Sequence, residues 1–259
     1  MITCYYDTIR QCRVFGSVKD NDRIESSFDD MSVSWMNESP KHRSGIKDIR
    51  ILVTSPCYDD IGQVLQLLNL SYGNYNPTTG FDCDIFFLNC GTPDVIKTDR
   101  LRDFVARGGM LYASDLTSSL ISEAFPGIFN FAGNKGEVGH VDAAVYDEEL
   151  TGIIGNSVTI YFDLGAWSVL NSINRGKVIL ASSSNRKPIM VQISFERGVI
   201  FYTCFHNHAQ ANDKEMALLK LLIMKQLGEF KQTSIENVCK EIQTSVSDYR
   251  QVFIQEKKV

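Results

Sequence analysis

The feature that most constrains this chain is the alternation of short apolar runs with segments of helical spacing. Apolar runs occupy 49–55 (IRILVTS), 83–91 (CDIFFLNCG) and 110–114 (MLYAS), and helical spacing follows at 61–70 and 98–109. Short apolar runs bounded by turn residues are typical of buried strands. Strands that are apolar throughout and alternate with helices predict a parallel sheet covered on both faces. The chain is therefore expected to form an α/β domain.

The second half of the chain keeps the strands but loses the alternation. Residues 157–164 alternate as expected of an edge strand, and apolar runs at 177–184, 188–196 and 198–205 predict three strands in quick succession. The short ERG link predicts a hairpin between the last two. An apolar helix at 214–228 is expected to pack on the sheet, which remains mostly parallel.

Two flanking segments differ from the alternating part, which spans 48–230. Residues 1–47 are polar with little periodicity, and an irregular leader is expected there. Cys4 and Cys12 lie in this leader without a second pair of cysteines, so no structural zinc site is expected.

The tail, 231–259, carries apolar residues at spacings of three or four, which predicts a C-terminal amphipathic helix. This stripe could dock on the chain's own domain, or it could bind a protein partner or a second copy of the chain. The pattern leaves both interpretations open. The stripe consists of Ile235, Val238, Ile242, Val246, Tyr249 and Phe253.

Composition argues against several classes of partner. The formal net charge is -5 and basic residues are not clustered, so no nucleic-acid binding is expected. Apolar stretches fall short of the roughly 18 residues that span a bilayer, and the first residues lack a signal core, so no membrane association is expected. The seven scattered cysteines are typical of free thiols in a reducing compartment, which predicts a cytoplasmic protein. Phosphate-binding glycine patterns are absent, and no cofactor is expected.

Polar residues follow four of the predicted strands. Because the carboxyl ends of parallel strands meet at one rim, where open α/β sheets bind ligands, these residues are expected to converge there. They are Cys57, Asp59, Asp60, Asn89, Cys90, Gly91, Ser114, Asp115, His206, Asn207, His208 and Gln210.

Asp115 and His206 are the candidate catalytic residues. A histidine paired with a carboxylate can act as a general base, or it can simply fix two loops. A metal held by Asp115, His206 and His208 is a weaker third interpretation, because their spacing matches no recognised ligand motif. Asp163 and Trp167 also stand out in a polar segment, where Trp167 is expected either to pack or to form a wall of the rim site.

Taken in order, several segments resemble the class I glutamine amidotransferase-like superfamily, and more closely its ThuA-like members. The resemblance covers 49–228 and rests on DDIGQVLQLL, DIFFLNCG, GGMLYASD, FDLGAW and GVIFYTCFHN. It implies a flavodoxin-like three-layer sandwich with a sharp strand-to-helix turn, the elbow, at residues 113–116. Family members carry a catalytic cysteine at this elbow, followed later by a histidine and a glutamate. Here the elbow carries Asp115, His206 falls near the family's histidine, and His208 stands where the glutamate is expected.

Two functions follow as hypotheses. The first is a pseudoenzyme, a non-amidotransferase binding or interaction module of a bacterial cytoplasmic assembly, with a defence or stress context implied by resemblance. Its rim would take a small polar ligand and its tail helix a protein partner. The second is a hydrolase that uses Asp115 and His206 on an amide, ester or sugar-linked substrate.

Overall fold

The computed structural model describes residues 2–7, 12–17, 45–207 and 212–254. It divides into two compact units, Met1–His42 and Arg43–Val259. In the first unit, strands β1 (Ile2–Asp7) and β2 (Cys12–Ser17) pair antiparallel. The expectation of an irregular leader is therefore wrong for these strands, whose aromatic and β-branched residues favour extended backbone. Residues 18–44 of the leader lie outside the described part.

The second unit contains eleven strands and seven α-helices among its described residues. The strands are β3 (Ile51–Val53), β4 (Gly73–Asn74), β5 (Ile85–Leu88), β6 (Met110–Ser114), β7 (Phe129–Asn134), β8 (Gly139–Val145), β9 (Ser157–Phe162), β10 (Ser168–Ile173), β11 (Lys177–Ser182), β12 (Pro188–Phe195) and β13 (Gly198–Thr203). The helices are α1 (Ile61–Leu67), α2 (Thr98–Ala106), α3 (Ser118–Ala124), α4 (Glu148–Ile154), α5 (Asp213–Lys231), α6 (Ile235–Glu241) and α7 (Val246–Ile254).

Nine of these strands form one sheet in the order β4-β3-β5-β6-β13-β12-β11-β8-β9. Pairings from β4 to β13 are parallel and those from β13 to β9 are antiparallel, so most strands point the same way. The predicted α/β fold with a mostly parallel sheet is confirmed. The hairpin between β12 and β13 and the edge position of β9 are also confirmed.

Helices cover both faces of the parallel half. Every residue of β5 and β6 is buried, as expected of parallel strands with helices on each side. Helix α2 packs beside α3, whereas α1 packs beside α5, which gives two helix layers around the sheet. The three-layer, flavodoxin-like arrangement follows from these contacts.

A second, two-stranded sheet formed by β7 and β10 lies against β13. Phe129 and Phe131 of β7 contact the ring of Tyr202 in β13, with centroids 6.0 and 5.1 Å away. Neither this sheet nor α4 was expected from the sequence pattern, because β7 and β10 are short and partly exposed. The sheet matters for the site because β10 begins at Ser168, beside the end of β6.

The predicted tail helix is present as two shorter helices, α6 and α7. The break lies near Gln243, whose φ of +62° is incompatible with a continuous α-helix. The break turns α7 back so that it contacts α4 and α5, which a straight helix could not do.

The apolar stripe of the tail packs on the chain's own domain. Ile235 and Val238 are fully buried in the core. The remaining stripe residues are partly buried against that core: Ile242, Val246, Tyr249 and Phe253. A partner that bound this stripe would have to displace these intramolecular contacts, so the docking interpretation accounts for the pattern.

Among the helices of the described residues, none combines the length and apolar character that crossing a membrane requires.

Candidate functional site

The chain makes a sharp turn directly after β6. Asp115 lies at its apex with a φ of +40°, a left-handed backbone conformation that few non-glycine residues adopt. Two hydrogen bonds hold it: Tyr202 Oη donates to the Asp115 carbonyl oxygen at 2.6 Å, and the Ser168 N–H donates to Asp115 Oδ1 at 2.6 Å. The elbow expected from the sequence is therefore present, with a carboxylate at its apex.

His206 lies between two carboxylates. Its Nε2 is 3.1 Å from Asp115 Oδ2, and its Nδ1 is 2.8 Å from Asp163 Oδ1. The side chains of His206 and Asp115 are 2% and 1% exposed, whereas that of Asp163 is 31% exposed. The predicted pair of Asp115 and His206 thus forms, and a third member extends it toward the surface.

The charges of this line favour a protonated imidazole. Burial by itself lowers the pKa of His206, but the hydrogen bond to Asp115 and the nearby Cys90 and Asp59 raise it to about 11. An imidazolium carries a proton on each ring nitrogen, so it has no lone pair with which to accept a substrate proton. In this arrangement His206 therefore fixes charge rather than acting as a general base.

Cys90 completes the buried cluster. Its Sγ lies 3.8 Å from Asp115 Oδ2, and the donor atoms of Cys90, Asp115 and His206 all lie within 4.8 Å of one another. Burial raises the pKa of the Cys90 thiol, although His206 partly offsets this. A fully buried thiol with a raised pKa is a poor nucleophile.

A hydrogen-bonded network centred on Asp59 connects the cluster to the neighbouring strand ends. Asp59 Oδ2 accepts from Ser114 Oγ at 2.7 Å, and Ser114 Oγ in turn accepts from the Cys90 N–H at 3.1 Å. Asp59 also accepts from the backbone N–H of Asn207 at 2.8 Å and from its side-chain amide at 3.0 Å. These contacts join the ends of four strands, so the predicted convergence holds for Asp59, Cys90, Ser114, Asp115, His206 and Asn207.

Three other predicted residues serve the backbone instead. Asn89 Oδ1 accepts from the Ile61 N–H at 3.0 Å, and Asp60 Oδ1 accepts from the Gly62 N–H at 3.1 Å, so both secure the start of α1. Gly91 has a φ of +70° and lies so close to the Tyr58 ring that a Cβ would collide with it. Their positions at strand ends reflect loop geometry.

Trp167 anchors the loop that covers the cluster. Its ring packs on Phe162 with centroids 4.3 Å apart, and its Nε1 donates to the Glu137 carbonyl oxygen at 2.9 Å. The loop between β9 and β10 carries Asp163 at one end and leads into Ser168 at the other. Trp167 thus holds the cover in place, which is the packing interpretation. His208 and Gln210 lie outside the described residues.

The sequence pattern did not identify Asp163 as the partner of His206. The resemblance places an acid two residues after the histidine, whereas this chain supplies one from a segment 43 positions earlier. The only local signal is that Asp163 lies near the end of the alternating run 157–164, directly after β9.

No protein-family model and no curated protein matches this chain. Solved structures do match. A ThuA-like protein from Bacteroides uniformis has a TM-score of 0.53 at 10% identity, covering 74% of this chain and 96% of that chain. A GMP synthase-like protein from Thermoplasma acidophilum has a TM-score of 0.50 at 11% identity, covering 79% of this chain and 97% of that chain. Likenesses at such low identity show the fold alone: this chain has a class I glutamine amidotransferase-like fold.

Proposed function

We propose that this chain is a pseudoenzyme of its fold, a cytoplasmic binding module that holds a small ligand at the strand-end site and does not hydrolyse glutamine. One observation carries the proposal. The apex of the elbow bears a carboxylate, and both oxygens of Asp115 are engaged, Oδ1 by the Ser168 N–H and Oδ2 by His206. A site closed in this way has no free nucleophile at the position where the fold presents one.

Cys90 does not replace the missing elbow thiol. Thiolate catalysis needs an accessible cysteine whose pKa is lowered by its surroundings. Cys90 is fully buried, its pKa is raised, and it follows β5 rather than β6. The route by which a thiolate attacks the glutamine amide is therefore not available to this arrangement.

The setting is proposed from the cysteines. All five cysteines with described side chains are free thiols, which supports a reducing, cytoplasmic compartment. A bacterial assembly remains the proposed context, by resemblance. We place no partner on the tail stripe, because its side chains pack inward.

The test is release of ammonia from L-glutamine. The wild-type chain, Asp115→Asn and the exposed control Asp99→Asn are all expected to stay at the buffer background. Ammonia release by the wild type that Asp115→Asn abolishes and Asp99→Asn preserves would show that the elbow is catalytic, and the proposal would fail.

A hydrolase is the second candidate, and a specific observation favours it. The strained φ of Asp115 and the order carboxylate, imidazole, carboxylate match a nucleophile, histidine and acid triad. Asp115 would attack the acyl carbon of an ester or amide and form an anhydride, while the bond to the alcohol or amine breaks and that group leaves with a proton from His206. Water would then cleave the anhydride, which releases the acid, restores the Asp115 carboxylate and returns the proton to His206. With p-nitrophenyl acetate as the probe, Asp115→Asn and His206→Ala should both abolish turnover while circular dichroism stays unchanged. Turnover at the wild-type rate in both folded variants would eliminate this candidate.

A further inference from the structure

Three side chains that commonly bind metals meet at the elbow: Cys90, Asp115 and His206. We infer that they form a site for one divalent transition-metal ion, with zinc as the expected species. This inference deepens the proposed function and rests on it, because it names the ligand of that same strand-end site.

The distances suit a tetrahedral ion. Asp115 Oδ2 is 3.1 Å from His206 Nε2 and 3.8 Å from Cys90 Sγ, and all three atoms lie within 4.8 Å of one another. Zinc bonds of about 2.0–2.3 Å at tetrahedral angles place ligand atoms about 3.3–3.6 Å apart. Shifts of a few tenths of an ångström bring the side between Asp115 and His206 and the side between Asp115 and Cys90 to these separations, and the side between Cys90 and His206, at most 4.8 Å, must close to the same range.

The remaining polar atoms of the ligands are already oriented. His206 Nδ1 is held by Asp163 at 2.8 Å, and Asp115 Oδ1 is held by the Ser168 N–H at 2.6 Å. Metal-binding histidines usually donate their second nitrogen to a carboxylate, which fixes the ring. The atoms that would bind the ion are Nε2 of His206 and Oδ2 of Asp115, which are 3.1 Å apart, and Cys90 Sγ, which is 3.8 Å from Oδ2.

The donor set favours such an ion. A thiolate sulfur, an imidazole nitrogen and a carboxylate oxygen together suit zinc better than magnesium or calcium.

Three protein ligands leave one coordination position for water or for a polar ligand atom, as in zinc sites that are not purely structural. The loop between β9 and β10 contacts the cluster at both of its ends, through Asp163 and through the Ser168 N–H. A single ion, rather than a large organic ligand, fits a cluster whose members are at most 2% exposed.

Cobalt titration of the full chain tests the inference. Cys4, Cys12 and the exposed Cys57 are changed to serine in all samples, so that their thiols add no background. The protein is purified without an affinity tag and stripped with a chelator. We expect one equivalent of Co²⁺ to bind with an absorption band from thiolate to cobalt, and one equivalent of Zn²⁺ to displace it.

Matched cysteine variants locate the site. Cys90→Ser is expected to lose the thiolate band and at least about tenfold in affinity, since the thiolate is a direct ligand. Cys239→Ser removes another buried thiol, in α6, and should leave the thiolate band and the cobalt affinity unchanged. Equal binding and an equal band in folded Cys90→Ser would overturn the inference.

Asp163→Asn tests a residue that would act on the ion only through His206. Asp163 is 31% exposed and contacts Nδ1 of His206, the nitrogen that would not bind the ion. As a positioning residue it should lower cobalt affinity about 10–100-fold while the thiolate band remains.

Titration of the parent protein, which carries only the three serine changes, decides the matter even if a further variant fails to fold. No stoichiometric binding of cobalt or zinc to this stripped parent would overturn the metal site. That result would leave the absence of ammonia release, and with it the proposed function, untouched. Ammonia release that depends on Asp115 would instead overturn the proposed function, whether or not a metal binds.

Discussion

Two buried clusters in this molecule each surround one basic side chain with carboxylates, and their differences are informative. The elbow cluster consists of Cys90, Asp115, Asp163 and His206. The helix cluster consists of Lys225, Asp147, Glu149 and Glu229. In the helix cluster, Lys225 Nζ lies 3.1 Å from Asp147, 3.3 Å from Glu149 and 3.0 Å from Glu229.

The helix cluster has a structural role: it connects helices. Asp147 also caps α4, accepting from the Leu150 N–H at 3.0 Å, and Glu149 also accepts from the Ile235 N–H at the start of α6. Lys225 lies in α5, so the cluster ties three helices together and fastens the tail. Each of these contacts has a role in the fold.

The elbow cluster differs in its backbone and its donors. It is built from loops at strand ends, it includes a residue with a φ of +40°, and it adds a thiol to the carboxylates and the imidazole. Strain of this kind is usually retained at functional sites. Two clusters with similar charges can therefore differ in role. The types of side chain and their location, in strand-end loops or in helices, distinguish the two clusters better than their charges do.

The largest expected effect is on stability when the elbow cluster loses its base. His206→Ala in metal-free protein leaves the Asp115 carboxylate buried and unpaired, and should lower the free energy of unfolding by about 3–5 kcal/mol. Urea unfolding measures this, with the exposed His140→Ala as the control, which should change little. If His206→Ala lowered the free energy of unfolding less than Lys225→Met does, the elbow cluster would contribute less to stability than the helix cluster, contrary to this prediction.

The helix cluster should show a smaller loss. Lys225→Met removes the shared cation, but two of its partners, Glu149 and Glu229, are 31% and 29% exposed and can be hydrated. The expected loss is about 2–3 kcal/mol, below the fully buried case. Lys240→Met, which breaks an exposed pair with Glu236, serves as the control and should change the urea midpoint little. Equal losses in both variants would show that burial does not matter here.

The two clusters should also differ in pH dependence. The pKa of folded His206 is raised to about 11, so its contribution is fully present below the unfolded value of about 6.5 and declines as pH rises toward 11. In metal-free protein, the stability gap between wild type and His206→Ala should shrink by about 1 kcal/mol per pH unit between pH 7.5 and 9.5.

The corresponding gap for Lys225→Met should stay flat over that range. Burial lowers the pKa of Lys225, but Glu229 and Asp147 more than offset this, so its folded pKa lies above the ordinary lysine value. Its contribution is therefore lost only above that value. A flat gap for both variants would mean that His206 gains no proton affinity on folding.

Asp163→Asn should give the smallest stability change. Asp163 is 31% exposed and its amide replacement can keep one hydrogen bond to His206, so the expected loss is about 0.5–1 kcal/mol. Because the predicted effect on cobalt affinity is much larger, the variant separates metal positioning from folding. A stability loss as large as that of His206→Ala would assign Asp163 to the fold.

The sheet and part of the site could be predicted from the sequence. Apolar runs and helical spacing are local patterns, and they located β3, β5, β6 and β11–β13 correctly. The rule that parallel strands end at one rim then brought Asp59, Ser114, Asp115 and His206 together from the pattern alone. That rule could not separate these residues from Asn89 and Asp60, which follow the same strands but secure the start of α1.

The tail shows the opposite case. Its spacing predicted the apolar stripe correctly, but spacing is the same whether a helix docks on its own domain or on a partner. The tail docks because the Ile235 N–H donates to Glu149 of α4 and because α7 packs on α4 and α5, and the sequence pattern did not reveal α4.

By itself the sequence determined the layered α/β fold, the elbow and the absence of a thiol at its apex, because each follows from residues close together in the chain. Only the tertiary structure decided that Asp163 completes the line through His206, that Cys90 faces Asp115, and that the site is closed. Cys90 and Asp115 are 25 positions apart, Asp163 and His206 are 43 apart, and Ser168, which contacts Asp115, is 53 positions after it. The last two contacts depend on how β10 and the covering loop pack. Local periodicity carries no information about such packing, since many loop paths are compatible with the same pattern of strands and helices.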